Sequence, residues 1–80
     1  MDRNTLESNL ISLLTEIAPE ATDTSIDYGE SLQDQLDLDS VDMMNYIAKV
    51  EEKYQNKIPS SEYKAFLTIS SGADYLIGKS

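Results

Sequence analysis

Ser40 stands in the stretch DLDSVD, residues 37–42, with Asp37, Asp39 and Asp42 around it. A serine hydroxyl attacks a substrate only when a base within hydrogen-bond reach takes its proton. The chain has no histidine, and the lysines beyond Ser40 begin only at Lys49, with no recognisable pairing to the serine. A self-activated nucleophile is therefore disfavoured. A hydroxyl that cannot activate itself can still be modified by a second enzyme. A helix start suits a phosphate there, because its free backbone N–H groups and the positive end of its dipole stabilise an anion. The simpler reading is a serine that only helps the helix to begin. The same acids also raise the question of calcium, since Asp37 and Asp39 hold the first and third positions of a calcium loop. Val41 then stands fifth, Asp42 sixth where the tight turn needs glycine, and Ala48 twelfth in place of a bidentate glutamate. That excludes a dedicated calcium switch but leaves loose binding of divalent cations by clustered acids.

The elements that must position Ser40 follow from apolar spacing. Asn4 and Glu7 have capping-box spacing, and Leu6, Leu10, Leu13, Leu14 and Ile17 recur on one helical face until Pro19 interrupts. From Ala18 to Leu38 the chain is rich in Thr, Ser, Asp and Pro/Gly punctuation, and Leu32 with Leu36 predicts one helical turn anchoring this long crossover. Asp39 can cap a second principal helix with Asp42 at its third position, which makes Ser40 the first helical residue. Met43, Ile47, Val50 and Tyr54 form its core stripe, flanked by Tyr46, and Asn56 and Lys57 end it before Ile58 and Pro59. A short helix from Ser60 or Ser61 should cover the core with Tyr63, Phe66 and Leu67. Thr68 or Ser70 can cap a last helix presenting Ile69, Ala73, Leu76 and Ile77 and terminated by Gly78. Gly72 inside it costs about 1 kcal/mol relative to alanine. No stretch alternates with period two for long enough to suggest a sheet. The expected fold class is all-α: three principal helices, one short helix and a long first loop, forming one small domain over residues 1–80.

Charge is distributed unevenly over the 80 residues. The net charge is -9, and the interval between Arg3 and Lys49 holds carboxylates and no cation, whereas residues 49–80 carry five lysines against Glu51, Glu52, Glu62 and Asp74. Such a field repels nucleic acid and anionic membranes and attracts proteins with basic patches. The absence of cysteine excludes disulfides and thiolate metal sites. The start MDRNTLESNL lacks a secretory signal, and no apolar run approaches the roughly 20 residues of a membrane span. A soluble, cytoplasmic, monomeric protein is expected. Along the second principal helix, Val41, Met44 and Ala48 make a further apolar line bordered by Asp42, Asn45, Glu51 and Glu52. Two apolar lines exceed what one small core needs, and an acidic rim suits docking into a basic, hydrophobic groove.

The order of elements and the stretch LDLDSVDMMNYIAKVEEKY resemble the acyl carrier protein family. ESLQDQLDLDSVD looks like the family's loop into the attachment site, VEEKYQNKIPSSE like the end of its second helix and the following loop, and TISSGADYL like its final helix. The resemblance implies a four-helix bundle and a 4'-phosphopantetheine arm, donated by coenzyme A and joined to the oxygen of Ser40. It also implies acyl groups held on the arm's thiol as thioesters, with the catalysis done by separate enzymes. Asp39 and Asp42 would be read by basic residues of the phosphopantetheinyl transferase and of acyl-carrier synthetase, ketosynthase or acyltransferase-type partners. Val41 would be the apolar contact, continued by Met44, Asn45, Ala48, Glu51 and Glu52. Met43, Ile47, Val50, Phe66, Ile69 and Ala73 are the candidate lining of an acyl-chain pocket, though a closed core uses the same residues.

Four features depart from the family pattern: Asp37 where many members have glycine, Val41 for leucine, Asn45 without the usual acid, and cations at Lys49 and Lys53. They leave the attachment chemistry intact and bear on which enzymes recognise it, in fatty acid synthesis or a specialised polyketide or lipid pathway. The competing reading from the residues alone is an acidic interaction module that docks through the second principal helix without any prosthetic group.

Overall fold

Asp2, rather than Asn4, starts the first helix. The computed structural model describes residues 2–19, 21 and 26–79, and in it the Asp2 carboxylate accepts the Thr5 N–H at 2.7 Å, ahead of α1 (Arg3–Thr15). That hydrogen bond holds the Asp2 carboxyl below its ordinary pKa. The expected Asn4–Glu7 box does not form. Starting two residues earlier brings Glu7 to i+4 from Arg3, whose Nε donates to it at 3.1 Å. The same guanidinium reaches the last helix, α4 (Ile69–Lys79), donating to Asp74 and to Ser70 O and Oγ, and so clamps the start of α1 onto it. Leu6, Leu10, Ile11 and Leu14 are buried, while Leu13 and Ile17 are only partly so. The last turn of α1 tightens, with Ile17 N and Ala18 N both donating to Leu14 O, just before Pro19.

Polar side chains tie the crossover down. The Gln35 amide accepts the Asp27 N–H at 2.9 Å and donates to the carbonyls of Asp27 and Glu30. Tyr28 O accepts Ser70 N at 2.9 Å, which fixes this segment against α4. Ala18, Ala21, Ile26 and Leu32 are buried along it. As predicted, the Leu32/Leu36 pair forms a short helix, α2 (Leu32–Leu36), capped by Ser31. It stops at Asp37, whose φ of 55° and ψ of 48° are left-handed, and Leu38 N returns to Gln33 O. A glycine would meet the same demand without strain. The backbone needs positive φ, and aspartate is among the few other residues that adopt it at modest cost.

In α3 (Ser40–Tyr54), Met43, Tyr46, Ile47 and Val50 face inward and Tyr54 is partly buried, its hydroxyl accepting from Asn9 Nδ2 at 3.1 Å. The helix ends slightly before the expected Asn56–Lys57, because Gln55 turns left-handed with φ of 50°. The segment η1 (Ser60–Leu67) is a 3-10 helix. Its tighter period points Phe66 into the core and leaves Leu67, expected to be covered, 36% exposed. Phe66 packs edge-on between Tyr46 and Tyr75, with centroids 6.4 and 5.5 Å away.

The last helix, α4 (Ile69–Lys79), is capped by Thr68, whose Oγ1 accepts Ser71 N at 3.0 Å. Ile69, Ala73 and Leu76 are buried, but Ile77 falls one position off that face and is 40% exposed. Gly78 lies within the helix instead of terminating it, and no described glycine has positive φ. Gly72 has a packing reason: a Cβ there would stand 3.1 Å from Phe66 Cδ1 and 3.5 Å from Leu10 Cδ1. The glycine therefore lets α4 approach α1 and Phe66 closely, which offsets its poor helix propensity.

The described residues are helical throughout their regular structure, with α4 packed on α1 and η1, and α3 on α1. One polar atom in this core is unmatched: the Tyr46 hydroxyl is buried and has no hydrogen-bond partner among the described residues. Burial pushes its pKa upward. Leaving such a group dry costs about 1–3 kcal/mol. Tyr46→Phe, which keeps the ring against Phe66, is expected to raise the unfolding free energy by about 1 kcal/mol in denaturant titrations. A lower midpoint would show that the hydroxyl is satisfied in solution.

Candidate functional site

The start of α3 is built by two carboxylates that cap one another's backbone. Asp42 N donates to Asp39 Oδ1 at 2.8 Å and Asp39 N donates to Asp42 Oδ2 at 3.4 Å, while Met43 N reaches Asp39 O. Because Asp39 does the capping, Ser40 is the first helical residue and its hydroxyl is not needed for the cap. Ser40 is exposed, and no hydrogen bond among the described residues involves its hydroxyl. The amides of Ser40 and Val41 remain as the orphan donors of the helix start, at the positive end of a 15-residue dipole. An exposed hydroxyl beside free N–H groups can carry a phosphate ester, and no hydrogen bond among the described residues joins it to a base that would make it a nucleophile.

Two grooves flank this helix start. One, of about 390 Å³, is lined by Gln33 of α2, by Ser40, Met43, Met44 and Ile47 of α3, and by Tyr63, Lys64 and Leu67 of η1. Its lining is mostly apolar. The other, of about 520 Å³, runs between α3 and the end of α1 and is lined by Glu16, Ile17, Asp42, Asn45, Ala48, Lys49 and Glu52. Between them Val41 and Met44 stand out at 63% and 57% exposure. The apolar line singled out from the sequence is therefore solvent-exposed and bordered by acids.

The candidate docking residues do not all point alike. Asp42, Asn45, Ala48 and Glu52 share the wall of the second groove. Glu51 turns away, its carboxylate accepting Ile58 N at 2.7 Å and bracing the loop after α3. The two lysines that break the family's charge pattern are engaged within the chain. Lys49 Nζ lies 3.0 Å from Glu16 Oε1, and Lys53 sits over the Tyr54 ring at 5.9 Å from its centroid. Of the candidate acyl-pocket lining, Met43 and Ile47 edge the first groove, whereas Val50, Phe66, Ile69 and Ala73 are fully enclosed in the core. Gln33, Tyr63, Lys64 and Leu67 belong to the groove and were not expected there. The α-helical spacing predicts Leu67 in the core, but the 3-10 period stacks Tyr63 with Phe66 and turns Leu67 outward, so Tyr63 packs partly buried against the core while also edging the groove.

No described helix is long and apolar enough to cross a membrane, and no described group of three or more acids converges to hold a metal ion. Residues 8–76 match the family model of the phosphopantetheine attachment site. The acyl carrier protein of Beutenbergia cavernae is 32% identical over 75 residues, covering 90% of this chain and 92% of the relative. Those of Myxococcus xanthus and Micrococcus luteus are 33% identical over 75 residues, covering 90% of this chain and 95% and 93% of theirs. No solved structure gives a significant match. A helical fold with an acid-framed helix start, matched over nearly its whole length by such relatives, places the chain in the acyl carrier protein family: it is a non-catalytic carrier that works through a covalently attached 4'-phosphopantetheine.

Proposed function

We propose that Ser40 is the residue that bears the arm, and that the protein carries acyl intermediates as thioesters in fatty acid synthesis or a related polyketide or lipid pathway. On this reading residues 1–80 act as one carrier domain, monomeric and cytoplasmic. The observation that supports it best is the exposed, uncommitted Ser40 hydroxyl at the start of α3, inside the span matched by the family. In the loading step the Ser40 Oγ–phosphorus bond forms as the pyrophosphate of coenzyme A breaks. The hydroxyl proton passes to the transferase and adenosine bisphosphate leaves. The arm's thiol then supplies the thioester, which explains how a chain without cysteine serves acyl transfer. Incubation with a broad-specificity phosphopantetheinyl transferase and coenzyme A is expected to add one arm, read by intact mass. An unmodified wild-type chain would overturn the proposal.

The exposed Val41 and Met44 with their acidic border support docking to basic, apolar patches on the transferase and on synthetase, ketosynthase or acyltransferase-type enzymes. They also favour the competing reading, a docking module that needs no arm, whose binding would persist in arm-free protein. Asp39 has two separable duties here. Asp39→Ala removes the cap and is expected to cost about 0.5–2 kcal/mol of stability. Asp39→Asn keeps a capping oxygen, so it should melt within a few degrees of wild type yet be loaded several-fold more slowly, because a charge read by the transferase is gone. Equal loading rates for Asp39→Asn and wild type would confine Asp39 to capping.

A further inference from the structure

Two of the described cations are held in ion pairs near the helices they serve. Arg3 is committed to Glu7 and Asp74, and Lys49 to Glu16. Lys64 is placed differently. It is exposed on η1, enters no ion pair among the described residues, and lines the groove that opens beside Ser40. A phosphodiester on Ser40 would add a negative charge to a helix start that already carries Asp37, Asp39 and Asp42. The orphan amides of Ser40 and Val41 offset part of that repulsion, and an ammonium facing the same groove would offset more, since like charges a few ångströms apart repel and a lysine–phosphate pair is charge-assisted.

The groove also fits the rest of the arm's first segment. Beyond its phosphate the arm has a quaternary carbon with two methyl groups, then a hydroxyl and an amide. The groove offers Met43, Met44, Ile47 and Leu67 as apolar lining, with Gln33 and Tyr63 as polar partners. Resting on the assignment of the arm to Ser40, we infer that Lys64 is the counter-ion of the arm's phosphodiester and that the groove between α3 and η1 holds the arm's branched proximal segment. Lys64 is then a positioning residue. It biases the arm to lie along η1 between transfers and leaves Val41 and the acidic face of α3 clear for a partner.

The test uses the full chain loaded enzymatically from coenzyme A, with Lys64→Met, Lys64→Glu and Lys64→Arg loaded in parallel and each checked by intact mass. Methyl resonances of Met43, Met44 and Leu67 are compared between apo and holo forms of each variant, and the phosphorus resonance is followed from about 0.15 M to about 1 M salt. In wild type and Lys64→Arg the methyls are expected to shift on loading. The phosphorus shift should move as the screening length falls from about 8 Å to about 3 Å. In Lys64→Met and Lys64→Glu both responses should be lost. Loaded Lys64→Met with the same apo-to-holo methyl shifts and salt response as wild type would overturn the inference while leaving Ser40 as the attachment residue. Wild type that gains no mass would overturn both, and mass reports that outcome before any spectrum is recorded.

Discussion

Ser40→Ala protein is expected to keep its apo mass after prolonged incubation with a phosphopantetheinyl transferase and coenzyme A, while melting at the temperature of wild type. The loss of loading should be complete, because among the described residues Ser40 is the serine that opens an α-helix already capped by an aspartate. Ser31 caps α2 with its own oxygen, and Thr68 caps α4. Ser40 differs in that a neighbouring aspartate caps the helix in its stead, so its oxygen is free. Stability should be preserved for the same reason: removal of an exposed, unbonded hydroxyl stays within about 0.5 kcal/mol. Mass added to the alanine variant would move the attachment elsewhere. Pull-downs with the two forms then separate the carrier from a bare docking module, since an arm-dependent partner is retained only by loaded wild type.

Phe66→Ala is expected to be the most damaging single truncation in the core. The ring is fully buried, wedged edge-on between Tyr46 and Tyr75, and seated over Gly72 at the shortest contact a Cβ there would have. Truncating a buried phenylalanine costs about 3–5 kcal/mol. A chain of this size has about 4–12 kcal/mol in total, at roughly 0.05–0.15 kcal/mol per residue. The variant should therefore be substantially unfolded or close to it at physiological temperature, as read by chemical denaturation. The site shares the damage, because Phe66 is the fully buried side chain of η1, which carries Tyr63, Lys64 and Leu67 to the groove. A loss under about 1 kcal/mol would mean that η1 is not held by this ring.

Much of this was legible in the residues because the relevant forces are local. The Asp39/Asp42 cap, the core stripe of α3 and the Leu32/Leu36 turn depend on spacing within a few positions, and each forms where the spacing places it. What escaped depends on long-range contacts or on a change of period. The spacing of Asn4 and Glu7 predicts a cap there, but Asp2 caps α1, and Arg3 then reaches across to Ser70 and Asp74. Gly72 reads as a weakness in a helix until Phe66 is packed against it. Glu51, one of a pair of apparently equivalent surface acids, is singled out by the Ile58 amide, which only the returning loop supplies. The groove beside Ser40 is not legible in the residues because it depends on how three successive elements fold against one another, one of them a 3-10 helix whose apolar residues fit an α-helical pattern equally well.

The left-handed turn at Asp37 has a further consequence for how Ser40 is presented. Were that residue right-handed, the helical run from Leu32 could continue through Ser40 into the next segment as one rod. The serine would then sit mid-rod, with its N–H spent on an upstream carbonyl and its oxygen lying back along the preceding turn. A single backbone reversal thus creates a fresh terminus and brings the hydroxyl to an open corner of the molecule. The accessibility of position 40 is set by its neighbour three places earlier as much as by the serine itself.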